Sequence, residues 1–420
     1  MSSRISGFYK KSIKDRLDDV KEFSKLSDDD TEIITNGKIE MGLVDRMVEN
    51  VVGVMPIPLG IATNFLINGK NYLIPMAVEE TSVIAAASNA ARMARKKGGF
   101  TCTNTGPIMI GQIQAVNVPD PFGAKMRILE AKEQIIETAD QQDPILVKFG
   151  GGCTDVLVRV IDSLIGPMVI TEILVNCGDA AGMNAVNSMN EALAPLIEEL
   201  SGGKVRLRII SNLADRRLVR ARAVFDKNEI GGEDAVEGII EAFAFAEADS
   251  YRCATHNKGI MNGIDAVIVA TGNDWRAIEA GAHTYAATKD PGYYSSLTTW
   301  EKNQDGDLVG TIELPMAVGL VGGVTKVHPV AQRNVKILGV KKATELGEIA
   351  AAVGLAQNFA ALLALSTVGI QKGHMSLHAR NIAVQIGAKG EEIEKIAEQM
   401  IKEKKIREDR AREILGALRK

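Results

Sequence analysis

The sequence of 420 residues is poor in aromatic side chains, at 4%, and holds four cysteines, Cys102, Cys153, Cys177 and Cys253. No two of them form a CxxC pair, and no His/Cys cluster has zinc-finger spacing. A metal-stapled module is therefore not expected, and sparse unpaired thiols fit a reducing cytoplasm. The charges are interleaved and sum to −4, so no basic stripe offers a footprint for nucleic acid. The N-terminal stretch MSSRISGFYKKSIKDRLDDV is basic but has no apolar run behind it, which excludes a secretory signal. Internal repeats and low-complexity linkers are missing, as are GxGxxG, a P-loop and HExxH.

What is present is ordinary globular material: 46% apolar, 24% charged, and enough chain for two or three domains. Residues 349–370 are nearly uncharged and long enough to span a bilayer. Gln357 and Asn358 sit in the middle of that segment, and no positive flank accompanies it. It reads as a buried helix.

Along the chain, residues 13–50 read as short charged helices. Residues 58–78 read as a hairpin turning at Asn68-Gly69-Lys70-Asn71. An Ala-rich helix is expected over 79–97, stopped by Gly98-Gly99. Residues 106–216 have a β-α-β-β-α-β cadence, with a strand expected before Gly150-Gly151-Gly152. Residues 217–370 return to a larger Ala- and Gly-rich texture with a strand expected over 265–270, and 391–420 form a charged helical pair.

Several segments carry chemistry. In His256-Asn257-Lys258-Gly259-Ile260-Met261-Asn262-Gly263 a lysine stands among amides and glycines, a setting for an ammonium that polarises a carbonyl. A surface lysine in a Gly-rich turn reads the same way. Asp274, in Thr271-Gly272-Asn273-Asp274, is either a ligand-facing acid or the N-cap of the helix after it. Of Glu79-Glu80, one acid favours a helix dipole and the second is a candidate proton donor. His374 follows Gly373 near the tail, where a mobile histidine serves as a late acid; with His378 it forms an i, i+4 pair for which metal binding is the lesser reading. Two segments, Asp179 to Asn184 and Leu320 to Lys326, suggest backbone contacts to a nucleotide.

Together with Pro75-Met76-Ala77-Val78-Glu79-Glu80, Ser296-Leu297-Thr298-Thr299-Trp300-Glu301 and Gly373-His374-Met375, these segments resemble the soluble class II hydroxymethylglutaryl-coenzyme A reductases, from about residue 40 to 390. The resemblance implies a mixed α+β, α/β fold. A large catalytic domain (1–105 and 217–370) would carry an inserted ferredoxin-like dinucleotide-binding domain (106–216) and a C-terminal helical flap (371–420). It implies reduction of hydroxymethylglutaryl-coenzyme A to mevalonate, or the reverse, by two hydride transfers. Lys258 would hold the oxyanion, Glu80 give the carbonyl proton, Asp274 tune both, and His374 protonate the departing thiolate. Ser82, Arg252, Asn262 and Gln357 would hold substrate, and Lys10 or Lys11 the coenzyme A phosphate.

Asp143, Asp179, Gly182, Asn184 and Asn212 would face the cofactor. An acid at Asp143 accepts ribose hydroxyls and repels a 2′-phosphate, which favours NADH over NADPH. No metal is implied. The expected assembly is a cytoplasmic homodimer with a shared active site, built into a trimer of dimers, without nucleic-acid or membrane partners. The rival readings are another nicotinamide-dependent acyl-coenzyme A or aldehyde oxidoreductase, and a catalytically dead coenzyme A-binding scaffold.

Overall fold

The structure, a computed structural model, describes all residues except Pro291, Val368, Gly369 and Lys420; for residues 370–377 only the backbone is described. Three short helices, α1 (Ile13–Ser24), α2 (Asp28–Asn36) and α3 (Met41–Met47), lead into the hairpin of β1 (Leu59–Ile67) and β2 (Lys70–Ala77). Its two-residue turn needs left-handed backbone twice. Asn68 at φ 48° and Gly69 at φ 76° supply it, so the Asn-Gly signal in the sequence set both the turn and the register Ile67↔Lys70. Helix α4 (Val83–Ala94) and β3 (Phe100–Asn104) follow.

The insertion comes next: β4 (Ile108–Val116), α5 (Pro121–Glu130), α6 (Lys132–Asp140), α7 (Pro144–Lys148), β5 (Gly152–Ile161), β6 (Met168–Asn176), α8 (Met183–Ser201) and β7 (Lys204–Ile210). Its four strands pair antiparallel in the order β5-β6-β4-β7, the ferredoxin-like arrangement, and enclose their own core around Ile113, Ile128, Ile173 and Leu193. The segment before the triple glycine is not a strand. Pro144 pre-sets the first helical turn and Asp143 caps it, so the chain makes α7 and the strand starts only at Gly152.

The body resumes with β8 (Leu218–Phe225), α9 (Lys227–Ile230), α10 (Glu233–Ala248), α11 (Ser250–Ala270), α12 (Trp275–Thr288), β9 (Thr298–Lys302) and β10 (Leu308–Pro315). Helices α13 (Gly323–Val327), α14 (Pro329–Leu338), α15 (Ala343–Ser366), α16 (Ile370–Gln385), α17 (Glu391–Lys402) and α18 (Glu408–Leu418) complete the chain. The body sheet runs β2-β1-β3-β8-β10-β9. Helices α4, α11 and α15 lie on it and bury Phe65, Phe100, Phe225, Ile264 and Phe359. The last three helices form a separate small cluster around Ile382, Ile396 and Ile414.

The expected strand over 265–270 is the last two turns of α11. Asp249 caps that helix through the Arg252 N–H, and the apolar run Ile264 to Ala270 is helical because it is buried on nearly every side. The residues around Lys258 are thus mid-helix and not a turn. Helix α15 is the one helix among the described residues long and apolar enough to cross a membrane, and most of it is enclosed by the body. It crosses α11 where each helix has a glycine. A Cβ on Gly263 would stand 3.0 Å from Gln357 Cβ and 3.2 Å from the Val353 carbonyl oxygen; one on Gly354 would stand 2.8 Å from Ile264 Cδ1.

Such a crossing has no room for a side chain. Gly263→Val is expected to destabilise the fold by about 1–3 kcal/mol through overpacking, read as a lower denaturant midpoint; an unchanged midpoint would mean that the helices separate freely here.

Candidate active site

Lys258 projects from the exposed face of α11. Its Nζ lies 3.3 Å from Glu80 Oε2, joining residues 178 positions apart. Glu80 sits in the bend between β2 and α4. The Ala-rich helix begins only at Val83, so neither Glu79 nor Glu80 lies in its first turn. Ser82 holds a left-handed φ of 77°, a strained conformation for a residue with a Cβ and one that tends to occur at functional sites. The ion pair is open, with side chains 63% and 43% exposed, so within one chain it contributes little to stability. Its geometry comes from the scaffold.

That scaffold lies beneath Lys258. His256 Nε2 is 2.9 Å from both Thr298 Oγ1 and Ser296 Oγ, and 3.2 Å from Asn358 Nδ2. Asn358 Oδ1 accepts from Thr298 Oγ1 at 3.0 Å and from Trp300 Nε1 at 2.7 Å. Asn257 donates to the Ser295 carbonyl and accepts from the Leu297 N–H. The stretch 295–300 is therefore the wall that clamps α11 and α15 together. Asn358, which stands out in an apolar helix, is the hub of that wall.

Asn262 lies one turn along from Lys258 on the same side of α11 and is half-buried. Gln357, packed against Gly263, is 7% exposed, and its Oε1 has no hydrogen-bond partner among the described residues, an acceptor that a ligand donor would satisfy. Arg252 is half-buried, and burial lowers its guanidinium pKa. Lys10 is exposed, with its ammonium 5.6 Å from the Tyr9 ring centre, whereas Lys11 is held by Asp19 at 2.7 Å. His374 falls in α16, so the chain does not bend at Gly373; its side chain lies outside the described residues.

Asp274 does not join Lys258 and Glu80 in this chain. It is the N-cap of α12: Oδ1 accepts from the N–H groups of Arg276 and Ala277 and lies 3.3 Å from Arg276 Nε. Twelve helical residues separate Lys258 from the end of α11, about 18 Å of rise, more than a lysine and an aspartate together bridge. The Asp274 turn sits at the insertion instead. Asn273 Oδ1 accepts from the Gly319 N–H at 2.7 Å, and Gly272 packs against Thr325.

The two separate nucleotide-like segments meet there. Leu320 donates to the Asp179 carbonyl at 2.9 Å, and Val321 bridges Ala180. Arg217, which sequence reading missed, is 3% exposed and donates to the carbonyls of Ala180, Ala181 and Val318. The only sequence signal was an arginine pair where the insertion returns to the body.

Asp179 Oδ1 accepts from the Ala343 N–H at 2.7 Å, tying the loop to the start of α15. Gly182, at φ 96°, opens α8 without a side-chain cap, and a Cβ there would stand 2.3 Å from Cys177 Sγ. Asn184, in the first turn, and Asn212 are exposed. Asp143 uses Oδ1 to accept from the Leu146 N–H at 2.9 Å. The uncapped N–H groups of α8 and the close glycine suit a phosphate bridge of a dinucleotide.

A family profile described as Hydroxymethylglutaryl-coenzyme A reductase matches residues 12–379. The chain belongs to this family. A 3-hydroxy-3-methylglutaryl-coenzyme A reductase of Archaeoglobus fulgidus is 59% identical over the whole chain and 95% of that relative. A probable reductase of Borreliella burgdorferi is 35% identical over 89% of the chain and 85% of the relative. Among solved structures, the class II reductase of Streptococcus pneumoniae bound to NADPH is 39% identical, with a TM-score of 0.82 over 98% of this chain and all of that one. The resemblance read from the sequence, the mixed fold and the reductase activity hold, and the chain is an oxidoreductase acting on a small-molecule thioester with a nicotinamide cofactor.

Burial drives the His256 imidazole down from 6.5 to about 3, and its Nδ1 has no hydrogen-bond partner among the described residues to receive a proton placed there. The folded state thus keeps His256 neutral where the unfolded chain takes up a proton. The stability this contributes is present above pH 6.5 and is lost as pH falls towards about 3, at up to about 1.4 kcal/mol per pH unit. Denaturant titrations at successive pH values are expected to follow that slope, and His256→Asn to flatten it; parallel slopes would show that His256 does not titrate between the two states.

Proposed function

We propose that the chain interconverts hydroxymethylglutaryl-coenzyme A and mevalonate plus coenzyme A in two hydride steps, with Lys258, Glu80, Asp274 and His374 as its chemical residues. The contact between Lys258 Nζ and Glu80 Oε2 carries the reading, because it sets a cation beside a titratable carboxyl group. The ammonium of Lys258 stabilises the oxyanion as a thioester or aldehyde carbonyl is reduced. Glu80 gives the aldehyde oxygen its proton. His374 protonates the departing coenzyme A thiolate, whose conjugate thiol has an ordinary pKa of about 8.5. Bound nicotinamide supplies the hydride. Arg252, Ser82, Asn262 and Gln357 hold the acyl group, and Lys10 meets the coenzyme A phosphate. In steady-state assay, reduction of the oxidised nicotinamide should require mevalonate and coenzyme A together; turnover without either one would point to a different aldehyde or acyl-thioester oxidoreductase.

The site is composite: Lys258 and Glu80 come from one chain and Asp274 from a second copy, whose insertion brings the nucleotide. Two observations support this. Asp274 lies beside its own chain's loop at Asp179 and Leu320, and its own Lys258 is out of reach. The Lys258–Glu80 pair is also open, whereas oxyanion stabilisation needs a site closed to water, so a partner covers it. Residues 106–216 are the dinucleotide domain, 1–105 and 217–370 the catalytic domain, and 371–420 a flap over the site. Dimers assemble as a trimer of dimers, and four buried thiols with no disulfide fit a cytoplasmic setting.

Lys258→Ala and Asp274→Ala are each expected to abolish turnover. Refolded together in equal amounts, they should recover up to about a quarter of wild-type activity, since half of the dimers are mixed and each mixed dimer has one intact site. No recovery would mean that the residues act within one chain.

NADH is the preferred cofactor. Asp143 uses one oxygen on its helix cap, which leaves the other as an acceptor; a carboxylate beside the adenosine ribose takes a hydroxyl and repels a 2′-phosphate, and this supports the reading. Asp143→Ala should raise kcat/KM for NADPH relative to NADH by about tenfold, the effect of 1.4 kcal/mol; an unchanged ratio removes Asp143 from cofactor choice.

A further inference from the structure

Two carboxyl groups confront each other on the side of α11 that carries Lys258. Asp265 lies seven residues beyond Lys258, about 10 Å along the helix and about 20° around it. Glu279, on α12, faces Asp265 and also feels the charge of Lys258. Asp265 Oδ1 is sealed from solvent and has no donor from any described residue. Two ionised carboxylates supply no hydrogen to each other, whereas one proton on the pair gives it a donor and relieves the repulsion. From Glu279 the chain of titratable groups continues outward: Oε2 is 2.5 Å from His283 Nε2, and His283 Nδ1 is 2.6 Å from Tyr294 Oη. Tyr294 in turn faces Asn257 and Cys253, beside Lys258 on α11. Burial first, then Glu279, pushes the Asp265 carboxyl well above the ordinary carboxylate range, while His283 pulls Glu279 below it.

We propose that Asp265 and Glu279 share one proton and act as a positioning pair for Lys258, presenting it with a single negative charge from the α12 side while Glu80 holds it from the other. This rests on Lys258 as the oxyanion-holding cation. With one charge on the pair, Lys258 stays an ammonium that is still free to turn to the substrate oxygen. When the shared proton leaves, the pair carries two charges. The ammonium is then held more strongly by the protein and the developing oxyanion meets more negative charge, so turnover falls as pH rises through the loss of that proton.

The test is an infrared titration of the full-length enzyme together with the pH dependence of kcat. Wild type should show a protonated-carboxyl C=O stretch at neutral pH that disappears on alkalinisation and is missing from Asp265→Asn. Asp265→Asn keeps a donor between the groups and fixes the pair at one charge, and so does Glu279→Gln; whichever is prepared folded should move the alkaline fall of kcat up by about one pH unit or more. No protonated carboxyl at neutral pH, or an alkaline limb that superimposes on wild type, overturns the proposal. The infrared band does not depend on turnover, so a failure of Lys258→Ala to abolish activity would remove the reading of Lys258 without touching the shared proton.

Discussion

Everything around the Lys258–Glu80 pair hangs on the crossing of α11 over α15. Gly263 and Gly354 let the two helices approach until backbone meets side chain. A buried polar cluster of His256, Asn257, Ser296, Thr298 and Asn358 then fixes the angle and rotation of that contact. Apolar packing alone tolerates small rotations; a cluster of directional hydrogen bonds in a dry interior does not. Because the rotation of α11 is fixed, one of its faces is committed to the core and the other presents Lys258 towards Glu80. An exposed ion pair contributes too little to hold itself in place, so its precision is inherited from the crossing beneath it.

A second junction ties the insertion to the body. Arg217 is fully enclosed, and its charge is met by backbone carbonyls of the 179–182 loop and of Val318 rather than by an acid. Asp179 reaches the first turn of α15, and Asn273 reaches Gly319. The insertion is thereby anchored to the same helix that carries Gln357 and Asn358. The Lys258–Glu80 pair and the Asp274 turn share a frame, yet within one chain they lie at different ends of α11. That separation is the reason for proposing a second copy as the source of the aspartate.

The hairpin, the short N-terminal helices, the ferredoxin-like cadence of the insertion and the helical tail were legible because each rests on local chemistry: Asn-Gly turns, caps and hydrophobic periodicity. The errors came where burial overrode local pattern. The run 265–270 looks like a strand because after Asp265 it is short, apolar and β-branched, but as the tail of a helix enclosed on most sides it needs little polar surface. The stretch around Lys258 looks like a loop because it is rich in glycine and asparagine; Asn257 serves buried hydrogen bonds there, and Gly263 lets α15 pack close. Arg217 and the Asp265–Glu279 pair were invisible, since nothing local distinguishes a buried charged residue from an exposed one.

The contact between Lys258 and Glu80 shows where the division falls. The sequence by itself determined the chemical inventory, the family and the order of elements, because residue types and short-range geometry are written along the chain. Only the tertiary structure decided that Glu80 meets Lys258 while Asp274 caps a helix at the other end of α11. A rigid helix converts twelve positions of sequence into about 18 Å, and that length is fixed by backbone geometry, not by the side chains that sequence reading weighs.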